Sequence, residues 1–455
     1  MSNVNTTSNS IAVSPKGYAI LQCKLTTNKN TVVDLFQIVQ DVKINESLYQ
    51  SGITVDIFIL DALNLFNELN IAGNEKIRLT IGRQEPGNIK KFFDLNLHIA
   101  EIKDYSTPTP SSKAYTLQCV SKHIYLNNSK ILRREFKNNA SRLIKDIVTR
   151  DLSSKLKVSN KNNSKDVING IYPRISPLQA ISWLLRNSFD NGTPFYFYET
   201  AKDGLVLNSY NQIRNDFKEK AYKEYNNYPF YKSSALDGKD GEAVFDEESK
   251  KIMKLVSQIN LSKHAASLKG AFRAQLNTID ISTKTLDTAN WKYEKSDGFT
   301  MNTYPPISDK MKIDDKGILK DFQDSKQYYV SLNSKAFDKQ NESVLDDSGF
   351  YVTKGNNYHS PANNTILKAQ AIQHNLDTIK QEIIIPGDFG LSSGMIIDLK
   401  LVKNADVTLE QIEQEEFSDK VLSGKHLVTG ILHHFSKEGY TQNVILKKDS
   451  FLKEI

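Results

Sequence analysis

The sequence predicts an α+β fold that is mainly β, with two β-rich domains on either side of a small α+β unit. Three observations predict it. Short β-rich runs separated by turn residues fill the chain between Tyr18 and Val120, two amphipathic helices follow, and β-rich runs return before the C-terminus. A chain of 455 residues is also too long for one ordinary core, which favours several domains.

The first β-rich domain is predicted over residues 17–124, after a polar segment, residues 1–16, that is expected to be flexible. Its runs are short, regularly spaced and bounded by turn residues, without a long helix, which is typical of an antiparallel barrel or sandwich. One run, "GITVDIFIL", alternates with the period of a strand. Its aliphatic face consists of Ile53, Val55, Ile57 and Ile59.

The middle unit is predicted over residues 125–214, as two helices and a hairpin. An apolar stripe at helical spacing marks the first helix. Ser176 is a suitable N-cap for the second helix, and Pro177 fits its first turn. The hairpin turns at residues 201–204. The stripe of the first helix consists of Leu143, Ile144, Ile147 and Val148.

The second half of the chain is predicted to hold a second β-rich domain in two pieces, residues 251–297 and 362–455. Residues 215–250 are charged and aromatic and are expected to form an exposed excursion. Residues 298–361 carry Gly, Pro, Asp and Asn throughout and are expected to form a long insertion between the two pieces.

Composition excludes several classes of function. The net charge of +6 is small for this length, and no Arg-rich block of the kind that binds phosphates occurs. Cys23 and Cys119 lie in strand-like sequence without metal-binding spacing, so two half-buried thiols in a reducing cytosol are expected. Neither a secretory signal nor an apolar stretch long enough to cross a bilayer is present, so no membrane insertion is expected.

The adjacent pair His433 and His434 is the most conspicuous candidate for chemistry. In a strand the two side chains point to opposite faces, so they do not readily converge on one metal ion. No HExxH spacing, phosphate-binding loop or dinucleotide fingerprint accompanies them. The sequence therefore predicts no catalytic, metal-binding or cofactor-binding residue, and a structural role for the pair.

The order of the segments resembles the baseplate hub proteins of contractile-tailed bacteriophages, and the N-terminal half of type VI secretion spike proteins. "ESLYQSGITVDIFILDALNLFNELNIAGNEKIRLTIG" resembles the early signature of that family, in which a Ser-Leu-Tyr turn begins a strand. "NNASRLIKDIV" and "SPLQAISWLLRNSFDNGTPFYFYE" are similar to its middle domain. "IIPGDFGLSSGMIIDL" and "GKHLVTGILHHFSKEGYTQNVILKKD" resemble its closing strands.

The resemblance implies a structural protein and not an enzyme. Both β-rich domains would be related tube-type barrels, and a homotrimer would place six barrels in a ring. Such a ring is the tail-tube initiator: it adapts a three-fold central spike protein to a six-fold tail tube protein, contacts other baseplate proteins and lines the channel through which DNA passes. The protein would be assembled in the host cytoplasm and reside in the virion tail baseplate. The chain carries no spike-like segment after the last barrel, so the spike is expected to be a separate chain.

Exposed strand edges are covered when such a ring closes. On that ground, we expect "GITVDIFIL" and the preceding tyrosine to lie at an oligomer or partner interface. The predicted interface residues are Tyr49, Ile53, Val55, Ile57 and Ile59.

Two alternatives stay open at this stage. One is a tail-associated cell-wall hydrolase with its site in the insertion, residues 298–361, although that segment holds one histidine and no recognisable pair of carboxylates. The other is a glycan-binding tail module, which would use the tyrosine-rich residues 215–250 and is compatible with a hub.

Overall fold

A computed structural model gives the fold of most of the chain. The described residues are 16–73, 75–85, 88–110, 112–158, 167–186, 188–190, 192–219, 223–227, 248–259, 270, 273–280, 285–292, 300–304, 327–332, 343–345, 351–353, 360–403 and 418–453. The fold is mainly β with a minority of helix, so the predicted α+β, mainly β class is confirmed.

Residues 17–121 form the first barrel, around a single apolar core. Its sheet order is β3-β4-β7-β6-β5-β1-β2, with every pairing antiparallel. The turn after β2 connects the two ends of this sheet. Leu35 N donates to Cys23 O of β1, and Leu60 N of β4 donates to Ile38 O. The elements are β1 (Ala19–Thr26), β2 (Val32–Asp34), β3 (Val39–Ser47), β4 (Thr54–Asp61), α1 (Leu65–Glu68), β5 (Lys76–Glu85), β6 (Asn88–Thr109) and β7 (Ser112–Ser121).

Both cysteines are fully buried in this barrel and unpaired, instead of half-buried. They stand at inward positions of β1 and β7, where strand alternation brings small apolar groups into the core. Burial raises the pKa of the Cys23 thiol to about 12, so this thiol stays protonated at neutral pH.

Residues 122–219 form the middle unit, which has its own core. Asn139 Oδ1 caps α3 by accepting from Arg142 N at 3.0 Å. α4 begins after Ser176, whose backbone N–H donates to Gln179 Oε1 at 3.1 Å, which is one half of a capping box. The elements are α2 (Lys122–Ser129), β8 (Glu135–Asn139), α3 (Ala140–Asp146) with a π-helical turn (Ile147–Asp151), β9 (Leu156–Val158), β10 (Val167–Ile171), α4 (Pro177–Arg186), β11 (Phe189–Asp190), β12 (Thr193–Thr200), β13 (Gly204–Ser209) and α5 (Tyr210–Glu219).

The second barrel has the strand order β15-β21-β24-β23-β22-β14 around another core. A bridge between Asn226 and Lys251 joins its two ends. β14 runs parallel to β22, so this barrel is mixed and not purely antiparallel. Its strands are β14 (Lys223–Asn226), β15 (Lys254–Ile259), β21 (Ile379–Pro386), β22 (Ile396–Lys400), β23 (Gly424–Ser436) and β24 (Gly439–Lys448).

Tyr225 on β14 is fully buried in the second core. Residues 223–227 therefore belong to the second barrel and not to an exposed excursion, because alternation turns this aromatic ring inward. Residues 220–222 and 228–247 of the same predicted excursion lie outside the described residues.

The remaining elements lie beside the barrels. β16 pairs with β17 and β18, and β20 joins β19 to β10 of the middle unit. Most of the predicted insertion, residues 298–361, lies outside the described residues. In the described part of the chain no helix is long and apolar enough to cross a membrane. These elements are β16 (Arg273–Asp280), β17 (Thr285–Lys292), β18 (Gln327–Leu332), β19 (Ser343–Leu345), β20 (Tyr351–Thr353) and α6 (Ser360–Leu376).

The two barrels share one continuous sheet, because β3 of the first pairs with β23 of the second. The pairing is antiparallel and runs from Gly430 opposite Ser47 to Phe435 opposite Val42. The hydrogen bonds between two paired strands fix both the register of the strands and the distance between them. The pairing of β3 with β23 therefore fixes how the two barrels are placed relative to each other.

Candidate functional site: the junction of the two barrels

The hairpin of β23 and β24 passes from one core into the other. Val428, Ile431, Val444 and Leu446 lie in the second core, whereas the hairpin tip lies in the first core. His433 and Gln442 stand opposite each other on the two strands, at the boundary between the cores. Phe435 and Tyr440 form the tip and stack with ring centroids 4.2 Å apart.

A bulge makes this crossing possible. The register of β23 shifts between Val428 and Gly430, so Val428 and Ile431 face the same core although their numbers differ by an odd count. Leu427 then faces a different apolar cluster. Strict strand alternation would place Leu427 and Ile431 on one face, and the extra residue of the bulge separates them.

The His433 side chain is fully buried and its tautomer is set by its neighbours. Gln442 Oε1 accepts from Asp388 N at 3.0 Å, and Gln442 Nε2 donates to Asp388 O at 3.0 Å, which fixes the orientation of the amide. Gln442 Nε2 also lies 3.1 Å from His433 Nδ1, and Tyr440 Oη lies 2.8 Å from the same nitrogen. Because an amide NH₂ can only donate, Nδ1 is an acceptor and the proton of the neutral ring sits on Nε2.

Glu46 of β3 faces the Nε2 side of the ring without a hydrogen bond to it. Its Oε2 lies 3.7 Å from His433 Nε2, and both side chains are 1% exposed. The carboxylate also accepts from Ala201 N at 2.8 Å and from Ser393 N at 2.7 Å. One buried carboxylate therefore joins the first barrel, the hairpin turn of the middle unit and a loop of the second barrel.

Asp388 extends the polar contacts toward β14. Tyr225 Oη donates to Asp388 Oδ2 at 2.9 Å, and the Lys223 ammonium pairs with the same oxygen. Burial opposes ionisation of Asp388, but the Lys223 charge and the Gly390 N–H outweigh it and hold the pKa of this carboxyl below its ordinary value. Burial, and then the Asp388 charge, raise the pKa of Tyr225. The aspartate is thus an ionised acceptor at the base of the loop.

Aromatic rings also pack against each other at this junction. The Phe389 ring stacks on Phe92 of β6 with centroids 4.4 Å apart, and Arg83 lies 5.3 Å above it. Arg83 also donates to Gly387 O at 2.9 Å. A Cβ on Gly387 would overlap the Tyr440 ring, so only glycine permits this close approach.

His434 lies on the other face of β23, as strand alternation predicts. Its Nε2 lies 2.7 Å from Asp41 Oδ2 of β3, with the side chains 36% and 27% exposed. The His434–Asp41 contact lies at the surface, between the paired strands β23 and β3. The two adjacent histidines therefore lie on opposite faces of one sheet.

The predicted interface residues occupy two different environments. Ile53, Val55, Ile57 and Ile59 are buried in the first core. β4 is not an exposed edge, because β3 and β7 pair with its two sides. Tyr49 is 51% exposed, and Lys447 Nζ lies 4.9 Å from its ring centroid. An interface role stays a prediction, for which Tyr49 offers surface and the four aliphatic residues do not.

A second polar cluster lies between the first barrel and the middle unit. Glu199 Oε2 accepts from Ile53 N at 2.8 Å and from the Ser121 hydroxyl, and it lies 3.8 Å from His123 Nε2. Burial raises the pKa of Glu199. The hydroxyl bonds to the carboxylate and not to the histidine, whose Nε2 lies 2.6 Å from Ser51 O. This geometry lacks the base beside the nucleophile that a hydrolytic triad needs.

Sequence reasoning missed Glu46, Gln442 and Asp388. The signal for the first two is present: each is a polar residue that alternates with apolar residues on the inward face of its strand. Asp388 follows a Pro-Gly turn and carries no such pattern. Within the described residues, no group of three or more His, Cys, Asp or Glu side chains is placed to hold a metal ion.

No protein-family model and no curated protein matches this sequence. Among solved structures, a tail protein from Neisseria meningitidis MC58 is similar, with a TM-score of 0.52 and 10% identity over 95% of this chain and 97% of that chain. The 43 kDa tail protein of prophage MuSo2 from Shewanella oneidensis aligns over 94% of this chain and 99% of that one, with 9% identity and a TM-score of 0.49.

A component of the Escherichia coli type VI secretion system, described as structurally similar to bacteriophage tail proteins, aligns over 94% of this chain and 76% of that one. Its identity is 8% and its TM-score 0.41. At such identities the likeness is one of fold. The first of these structures supports the predicted resemblance to phage tail proteins as a likeness of fold.

Proposed function

We propose that this chain is a structural baseplate hub protein of a contractile phage tail. Three copies would form a ring of six barrels that joins a three-fold spike to a six-fold tube and surrounds a channel for DNA. The observation that carries the proposal is the full-length likeness to a tail protein, 95% of this chain against 97% of the other. In this role the protein acts through its surfaces and not through an active site.

The barrel junction supports this proposal. A ring of alternating barrels needs a constant angle between the two barrels of each copy, and β3–β23 pairing supplies one. The buried contacts of Glu46 add the middle unit to the same rigid body. A heterologous contact between the second barrel of one copy and the first barrel of the next would then close the ring.

The proposed partners are a second and third copy of the chain, the central spike, the tail tube and other baseplate proteins. The location would be the virion tail, after assembly in the host cytoplasm. The segment assigned to the hydrolase alternative lies mostly outside the described residues, as does most of the tyrosine-rich stretch assigned to glycan binding. Neither alternative is favoured by a contact in the described part of the chain.

Native mass spectrometry of the purified chain over a range of concentrations tests the proposal. The expected species has the mass of three 51.5 kDa chains and shows an open channel by electron microscopy. If ring closure needs a template, the same species appears only on addition of the spike protein. A chain that stays monomeric with and without the spike would overturn the proposal.

A further inference from the structure

A cleft with a volume of 1140 Å³ opens between the first barrel and the middle unit. One wall is formed by β5, β6 and the first residues of α2. The opposite wall is formed by residues 153–155 and by the turn between β12 and β13. We call this feature the lysine cleft, after the four lysines on its walls: Lys76, Lys122, Lys155 and Lys202.

The other charged groups of the lysine cleft already have partners. Glu199 accepts hydrogen bonds from Ile53 N and from the Ser121 hydroxyl. Arg78 makes two hydrogen bonds of 3.2 Å to Asp94. Asp203 pairs with Lys157 at 2.8 Å. Each of these groups is therefore already engaged in a contact within the chain.

The four lysines differ from these groups because all four are exposed, and none has an ion-pair partner within the described residues. The four lysines stand on both walls of one concave surface, so their potentials add in the space between the walls. A concave surface with unpaired positive charge on both sides fits an extended anionic segment.

The chain itself carries such a segment in residues 404–417. Five carboxylates and no lysine or arginine occur there. The segment leaves and re-enters the second barrel between β22 and β23, where Val402 bridges to Ser418. Its carboxylates are those of Asp406, Glu410, Glu413, Glu415 and Glu416.

We propose that the lysine cleft of one copy binds the acidic segment 404–417 of a neighbouring copy. The inference rests on the proposed ring, in which the second barrel of one copy meets the first barrel of the next. Because the segment connects two strands of the second barrel and the cleft lies between the first barrel and the middle unit, their union is a head-to-tail contact of the kind that such a ring requires.

Nucleic acid is the competing anion, and the walls of the cleft argue against it. Asp94, Asp203 and Glu199 stand among the lysines. A phosphate backbone carries a charge on every nucleotide and is repelled by these carboxylates. The acidic segment carries five carboxylates in fourteen residues, so it has uncharged residues that can lie beside the wall carboxylates.

The direct test is fluorescence anisotropy with a labelled synthetic peptide of residues 404–417 and the full-length protein. We expect saturable binding that weakens as salt is added. Replacing the four cleft lysines by Gln should weaken it by about tenfold or more, because several exposed ion pairs are lost together. A matched variant with four exposed lysines outside the cleft replaced by Gln should bind like the wild type. These control positions are Lys137, Lys145, Lys380 and Lys437.

Two peptide results would overturn the proposal. One is equal binding by the cleft variant and the control variant. The other is equal binding by a peptide in which the five carboxylates are replaced by amides. A single-stranded oligonucleotide that binds the cleft more tightly than the peptide, and loses this affinity in the cleft variant, would assign the cleft to nucleic acid instead.

Charge exchange in the whole chain separates this inference from the proposed ring. Replacing the four cleft lysines by Glu should abolish the trimer, and replacing the four glutamates of the segment by Lys in the same chain should restore it. A trimer that survives the cleft change leaves the ring standing and overturns the docking. Peptide binding at the cleft in a chain that never forms a trimer would support the docking and overturn the ring.

Discussion

Glu46 and His433 face each other from strands of two different barrels, with the carboxylate oxygen 3.7 Å from Nε2 and both side chains almost fully buried. The carboxylate also holds two backbone N–H groups, one from the middle unit and one from the second barrel. A buried acceptor with these partners stabilises the junction only while all of them are present.

Replacing Glu46 by Ala should lower the free energy of unfolding by about 3–5 kcal/mol, because two buried N–H groups lose their acceptor. Urea denaturation followed by circular dichroism measures the change. The matched control is Glu101→Ala, at a carboxylate whose side chain is 60% exposed and faces Lys103. Equal stability of the two variants would contradict the role of Glu46.

The tautomer of the buried His433 ring should be set by Gln442. The neutral ring should carry its proton on Nε2, because the Gln442 amide occupies Nδ1 as a donor. Nitrogen-15 NMR of histidine-labelled protein distinguishes the tautomers by the shifts of the two ring nitrogens. His434, with Nε2 on a surface carboxylate, provides the internal reference. A proton found on Nδ1 of His433 would require a different orientation of Gln442.

Gly387 and Gly430 should respond differently to the same added methyl group. A Cβ on Gly387 would overlap the Tyr440 ring, whereas a Cβ on Gly430 would meet its nearest neighbours at an ordinary 3.6 Å. Gly387→Ala should therefore cost about 2–3 kcal/mol of stability, and Gly430→Ala less than about 1 kcal/mol. Thermal unfolding of the two variants provides the comparison. Similar melting temperatures would show that the loop moves away from Tyr440 at little cost.

Lys448 gives the fold a pH dependence. Burial lowers the pKa of this side chain to about 7, and its Nζ donates to Val421 O at 2.8 Å. Between about pH 7 and the ordinary lysine pKa of about 10.5, the unfolded chain holds a proton that the folded chain lacks. Stability from this group therefore rises with pH through that window, by a few kcal/mol in total.

Denaturation of Lys448→Met and the wild type at pH 6 and pH 9 isolates that contribution. The variant loses the hydrogen bond to Val421 O at both pH values, so this loss cancels in the comparison. The free energy of unfolding of the variant minus that of the wild type should be a few kcal/mol more favourable at pH 6 than at pH 9. Lys447→Met is the matched control, since Lys447 is partly exposed and pairs with Asp377. A constant difference at the two pH values would contradict the buried, depressed lysine.

The order of elements could be predicted from the sequence because it depends on local periodicity. The helix start at Ser176 and the opposite faces of His433 and His434 are local in this sense. Three features could not be predicted in this way. The interior position of β4 depends on pairing with β3 and β7, and the inward turn of Tyr225 depends on pairing with β22. The bulge near Thr429 depends on the three strands that pair with β23.

The polar junction was missed for a related reason. Glu46, Gln442 and Asp388 are far apart in sequence and meet only after three strands and a loop have assembled. A polar residue on the apolar inward face of a strand signals that a partner exists but does not identify it.

The shared sheet has a mechanical consequence for any ring built from this chain. Within a copy, the barrels can shift relative to each other only by breaking ladder hydrogen bonds from Gly430 to Phe435 together, so this joint is stiff. In the proposed ring, joints between copies made by side chains alone would be able to slide or tilt. A ring of three copies would thus alternate stiff and compliant joints, and an axial load would be relieved at three hinges while each pair of barrels moved as one lever.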